Sequence, residues 1–70
     1  MNRSIRETQL LVVARKSDLT IQEAIALPAT VAAFAKASGY SQDKILNCAL
    51  HDIDMQKEIK RVCIAGASAL

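Results

Sequence analysis

Cys48, His51 and Asp52, with Cys63 further along the chain, carry the atom types that hold metal ions or act as nucleophiles. Cys48 and His51 are three positions apart, which places them on one face of a helix, and zinc accepts thiolate, imidazole and carboxylate together. The spacing matches no recurring zinc pattern and the chain has a single histidine, so the expectation is no metal. Hydrolytic or transfer chemistry needs a nucleophile beside a base, paired carboxylates or a phosphate cradle. His51 has no evident triad partner, and two isolated glycines cannot build a phosphate loop. The chain is therefore read as non-enzymatic, without a cofactor or a small-molecule substrate. Lys57, Lys60 and Arg61 recur at helical spacing opposite Ile59 and Val62, a solvated face able to assist binding of phosphate or of an acidic partner.

Hydrogen-bonding chemistry is concentrated elsewhere. The stretch Ala35-Lys36-Ala37-Ser38-Gly39-Tyr40-Ser41-Gln42-Asp43-Lys44-Ile45 reads as a helix end, a tight glycine turn and a newly capped helix. Gly39 suits the left-handed conformation that closes helices. Ser41 is an N-cap residue, and Asp43 stands in the positive first turn that follows.

The elements around this turn are all expected to be helical. Ser4 to Glu7 fits a capping box and starts a helix to about Lys16, with basic residues at its negative end. Within it, Leu10 to Val13 is also at home in a buried strand, and the cap tips the reading towards helix. A second capping box at Thr20 to Glu23 starts a helix with Ile21, Ala24 and Ile25 on one face. Pro28 then forces a new start, giving a helix from Pro28 to Ala37 that turns Val31, Phe34 and Ala35 inward. The Ser41 helix carries the apolar stripe Ile45, Leu46, Ala49 and Leu50, with Ile53 just beyond; the stripe is most simply core and in so short a chain is also wide enough for self-association or a partner. Asp52 or Asp54 caps a last helix ending at Gly66, and a frayed tail follows to Leu70.

Residues Val31 to Leu50 resemble the short helix-turn-helix regulators of phages and plasmids. Ala35 matches the small residue where the two helices cross, Gly39 the turn, and Ile45 and Cys48 the buried positions of the second helix. The resemblance implies that this second helix lies in the major groove. Gln42 would then be the foremost base reader, pairing its carboxamide with adenine, and Asn47 the second. Ser41 and Lys44 would hold phosphates, with Lys36 reaching the backbone from the preceding helix. Against the family pattern, Ser38 stands where an apolar residue is usual, Leu46 and Leu50 fall on the face due to meet DNA, and Asp43, Asp52 and Asp54 bring negative charge. The segment Gly39 to Leu50 also looks like the second helix of ribbon-helix-helix proteins, in which the adjacent apolar pair is buried in a dimer. That family's basic strand has no counterpart here, because Thr20 to Leu27 contains no Lys or Arg.

Bulk properties bound these readings. Seventy residues make one small domain that buries only about 60% of its unfolded surface, so dimerisation is expected. Apolar residues make up 51% of the chain, yet Phe34 and Tyr40 are its only aromatics, which favours packed aliphatic helices. The fold expected is all-α: a bundle of four to five short helices containing a helix-turn-helix-like pair, in a homodimer. A net charge of +2 permits DNA binding without arguing for it; basic residues gather loosely as Arg3, Arg6, Arg15 and Lys16 early and as Lys57, Lys60 and Arg61 late. Cys48 and Cys63 fall among apolar helix positions and read as reduced thiols, with a disulfide the lesser alternative. No stretch fits an export signal or a bilayer span, so a cytoplasmic protein without a membrane partner is expected. Two functions follow. The first is a DNA-binding transcriptional regulator working through Lys36, Ser41, Gln42, Lys44 and Asn47. The second is an inhibitor or adaptor that docks a partner protein, or a second copy, on Ile45, Leu46, Ala49, Leu50 and Ile53.

Overall fold

The computed structural model describes residues 4–68, in which every regular element is a helix. In chain order these are α1 (Ile5–Lys16), α2 (Ile21–Ile25), α3 (Leu27–Ser38), α4 (Gln42–His51) and α5 (Ile53–Ser68). Arg3 and positions 69–70, which carry part of the expected basic cluster and of the frayed tail, lie outside the described residues.

Local chemistry accounts for each boundary. The Ser4 hydroxyl accepts from the Glu7 amide at 3.1 Å, so α1 starts where the capping serine places it. Leu10 to Val13 is helical throughout. Val13 and Ala14 are buried and Leu10 packs against them, while Leu11 and Val12 face outward, a helical division that a strand could not produce. The chain leaves α1 through Asp18, whose φ of 56° lies in the left-handed region that Asp tolerates better than most residues. At Thr20 both arms of the capping box form: the hydroxyl accepts from the Glu23 amide and the Glu23 carboxylate accepts from the Thr20 amide, each at 3.1 Å.

Only Ala24 of the expected inward face of α2 reaches the core. Ile21 is 87% and Ile25 66% exposed, because five residues give less than two turns and cannot hold a whole apolar face against the bundle. Helix α3 starts one residue before Pro28, which sits in the first turn, where the missing amide costs no helical bond. Val31 and Ala35 are buried as expected, with Phe34 half-buried. Gly39, at φ 79°, closes α3 and donates to the Ala35 carbonyl at 2.9 Å.

Asp52 is the cap of α5: its Oδ1 accepts from the Asp54 amide at 2.8 Å and the Met55 amide at 3.1 Å. Helix α5 does not end at Gly66 but runs through it to Ser68. A Cβ at position 66 would meet the Ala26 Cβ at 3.3 Å, so the glycine serves close approach to the α2–α3 junction rather than termination.

The core is aliphatic and drawn from four helices. Its fully buried larger side chains are Val13 from α1, Leu27 and Val31 from α3, Leu46 from α4, and Ile59 and Cys63 from α5. Among buried polar groups, Thr30 donates to the Ala26 carbonyl at 2.9 Å and accepts from the Cys63 thiol at 3.5 Å. Burial pushes the Cys63 thiol above its ordinary pKa, outweighing the Thr30 contact that pulls it down. Both cysteines are free; Cys63 is buried and Cys48 half-buried. The radius of gyration, 11.2 Å, matches the value of about 11 Å for a fully condensed chain of this length. No helix among the described residues is long and apolar enough to cross a membrane.

Candidate nucleic-acid interface

Helix α4 is held from both ends. At its start the Ser41 hydroxyl accepts from the Lys44 amide at 3.2 Å. At its end the Gln56 side-chain amide donates to the Ala49 carbonyl at 2.8 Å, pairing one of the carbonyls a helix terminus leaves open. Its rotation about its axis is fixed by burial. Ile45 is 4% exposed, and Leu46 and Ala49 are wholly buried, so the opposite face must be the wet one.

That rotation bears out the core reading of Ile45, Leu46 and Ala49 and corrects the docking reading of the same residues. Leu46 does not face outward; it is part of the chain's own core together with Ile45 and Ala49. A docking or dimer surface through those three residues has no access to a partner while the bundle is folded. Of the five residues expected there, Leu50 is half-buried against the core and Ile53 stands 65% exposed. The stripe is thus divided, with Ile45, Leu46 and Ala49 in the core, Leu50 at its margin and Ile53 outside it.

The outward arc of α4 carries Asp43, Lys44, Asn47 and His51, all exposed. Asp43, Asn47 and His51 recur every four residues, so they share one face. Asn47 makes no side-chain hydrogen bond among the described residues and presents its carboxamide to solvent. Lys44 holds its ammonium 4.5 Å from the centre of the Tyr40 ring, a cation–π contact that keeps it beside the helix start. Ser41 and Lys36 are also exposed, Ser41 with its hydroxyl already engaged as the cap.

Gln42 is placed differently from the expectation of a free base reader. Its Oε1 accepts from the Arg6 guanidinium at 2.8 Å, and the other arm of Arg6 donates to Asp43 at 2.7 Å. A two-pronged pairing of Gln42 with adenine needs both amide atoms, and one is occupied. Asn47 keeps both. Arg6 is a residue that sequence reasoning missed in this role, since it lies 36 positions from Gln42 and no local pattern connects them. Tyr40 was readable in principle, four residues before Lys44.

The early and late basic clusters, separate in sequence, are brought together. Lys16 at the end of α1 and Lys57 and Lys60 on α5 line one surface pocket with Ser17, Asp18, Ile53 and Gln56. Lys60 donates to the Asp18 carbonyl and pairs with Glu23 at 2.9 Å. The Lys60 hydrogen bond holds the Glu23 carboxyl below its ordinary pKa, assisted by the Thr20 amide. Arg61 pairs with Glu58, which lowers the Glu58 pKa and raises that of Arg61.

Comparison with protein-family models, with curated proteins and with solved structures returns no match. Function is therefore to be read from the geometry of α4 and of the surfaces beside it.

Proposed function

We propose that the protein is a small non-enzymatic DNA-binding regulator of helix-turn-helix type that reads the major groove with α4. The observation that carries this reading is the rotation of α4. With Leu46 wholly buried, the residue that conflicted most with a groove-facing helix is on the core side, and the face left to solvent is polar. Asn47 is the principal base reader, because its carboxamide is free to donate to and accept from an adenine edge. Gln42 is secondary, reaching a base with its amide nitrogen while Arg6 holds its oxygen, or with both atoms once Arg6 turns to a phosphate. Lys36, Lys44 and the α4 start at Ser41 serve the backbone. A pair of copies would set two α4 helices on successive major-groove faces, about 34 Å apart.

The reading is tested by selection of duplexes from a random pool on immobilised protein, with sequencing of what is retained. Enrichment of a common site, lost or relaxed at one base pair in Asn47→Ala, is the expected outcome, with a penalty of about 1–3 kcal/mol at that position. Absence of any enriched site, with no duplex binding that weakens on adding salt, overturns it. A partner protein seated on Leu50 and Ile53 would leave Asn47→Ala silent.

A further inference from the structure

We infer that the pocket between the end of α1 and the start of α5 seats a phosphate of the DNA backbone, an inference that rests on the DNA-binding reading above. The pocket has a volume of about 330 Å³, many times the share of roughly 30 Å³ that one water takes in the liquid, so a phosphate and its hydration fit. Three lysines are among its lining residues. Among the described residues, the three ion pairs leave Lys16 and Lys57 without a carboxylate partner, and both are exposed. Lys60 is partly neutralised by Glu23. The opposing charge in the lining is Asp18, one carboxylate against three cations.

A second observation at the same place is independent of charge. Ser17 also lines the pocket, is 5% exposed, and its hydroxyl has no hydrogen-bond partner among the described residues. Buried hydroxyls are nearly always paired, and a phosphate seated in the pocket would supply an acceptor once the Ser17 hydroxyl turns towards it.

The pocket is also where a reading helix needs it. Helices α1 and α4 lie side by side in the same direction: Arg6 meets Gln42 and Asp43 at their starts, and Lys16 and Ile53 share the pocket just past their ends. Ten residues make α4 about 15 Å long, slightly more than the width of about 12 Å of the major groove. Lys44 and Ser41 stand at one end of α4 and the lysine pocket just past the other, so the two ends of the reading helix each have a group for the DNA backbone.

The test titrates the tightest duplex recovered from a random pool into wild-type protein, the double variant Lys16→Gln/Lys57→Gln and Asp18→Asn, over a series of salt concentrations, by fluorescence anisotropy. In parallel, amide shifts of Ser17 and Lys57 are followed while duplex or inorganic phosphate is added. The double variant is expected to bind more weakly, with a slope of log affinity against log salt shallower by about 0.9 for each phosphate that it no longer neutralises and an unchanged sequence preference. Asp18→Asn is expected to bind more tightly, its backbone still accepting the left-handed conformation. If wild type binds duplex and the double variant keeps both affinity and slope, the pocket takes no phosphate while the DNA-binding reading stands. If phosphate moves the two amides and duplex does not, the pocket serves a free anion and the inference fails. If wild type shows no salt-dependent duplex binding, both fail. Melting curves of the variants, altered only at exposed side chains, exclude loss of fold as the cause.

Discussion

Truncating Leu46 to alanine should cost more stability than any other change on α4. The side chain is wholly buried, and its helix is pinned by Ser41 at one end and Gln56 at the other, which leaves little freedom to collapse into the space. Leu→Ala at such sites costs roughly 2–5 kcal/mol, as transfer of the lost methyl groups plus the cavity left behind. A chain of 70 residues has about 3.5–10 kcal/mol to lose, so a cost of about 3 kcal/mol removes roughly 30% of it or more. At roughly 4–8 °C per kcal/mol for a domain of this size, the melting temperature falls by about 12–24 °C. Ile53→Ala, at a residue 65% exposed, should change stability by about 0.5 kcal/mol or less. The assay is thermal and urea denaturation followed by helical circular dichroism, with both variants beside wild type. Equal losses for the two substitutions, or a loss at Leu46 below about 1 kcal/mol, would refute the assignment of Leu46 to the core and restore the stripe as a docking surface.

Gly39→Ala places a Cβ at φ 79° and should cost about 1–2 kcal/mol without touching another side chain, since nothing lies within 4 Å of the added carbon; Gly39→Asn should recover part of it, as chemical denaturation can show. Stability should also fall on acidification. The Glu23 and Glu58 carboxyls are held below their ordinary value of 4.5, so each contributes fully above that value and loses its contribution as pH drops through the lowered folded pKa. Glu23→Gln should flatten that acid limb, read as melting temperature against pH, and an unchanged limb would remove the Lys60 pair from the account.

The parts of the fold written in local chemistry were legible. The caps at Ser4, Thr20 and Ser41 and the left-handed Gly39 each depend on residues within one turn, and each helix start falls where those residues put it. Gly66 misled for a tertiary reason: a glycine at the end of an apolar pattern resembles a stop, but here it answers the approach of Ala26 from another helix. The exposure of Ile21 and Ile25 follows from the shortness of α2, which the apolar spacing does not reveal. At the candidate interface, the capping role of Ser41 and the polarity of Lys44 and Asn47 were readable, whereas the rotation that buries Leu46 depends on packing against three other helices. Arg6 on Gln42, and Lys16 beside Lys57, join residues more than 30 positions apart, and charge spacing along one helix carries no record of such meetings.

Lys60 has one ammonium and two claimants. Its contact with Glu23 fastens α2, a helix that buries no residue fully and is accordingly the first segment expected to open. The same ammonium lines the lysine pocket. If the pocket seats a phosphate as inferred above, an anion that draws Lys60 from Glu23 would loosen α2, and release of α2 would free Lys60 from that carboxylate; by linkage the two effects are equal in free energy. The smallest helix among the described residues would thus bear on how strongly the lysine pocket attracts an anion, although it supplies none of that pocket's lining residues.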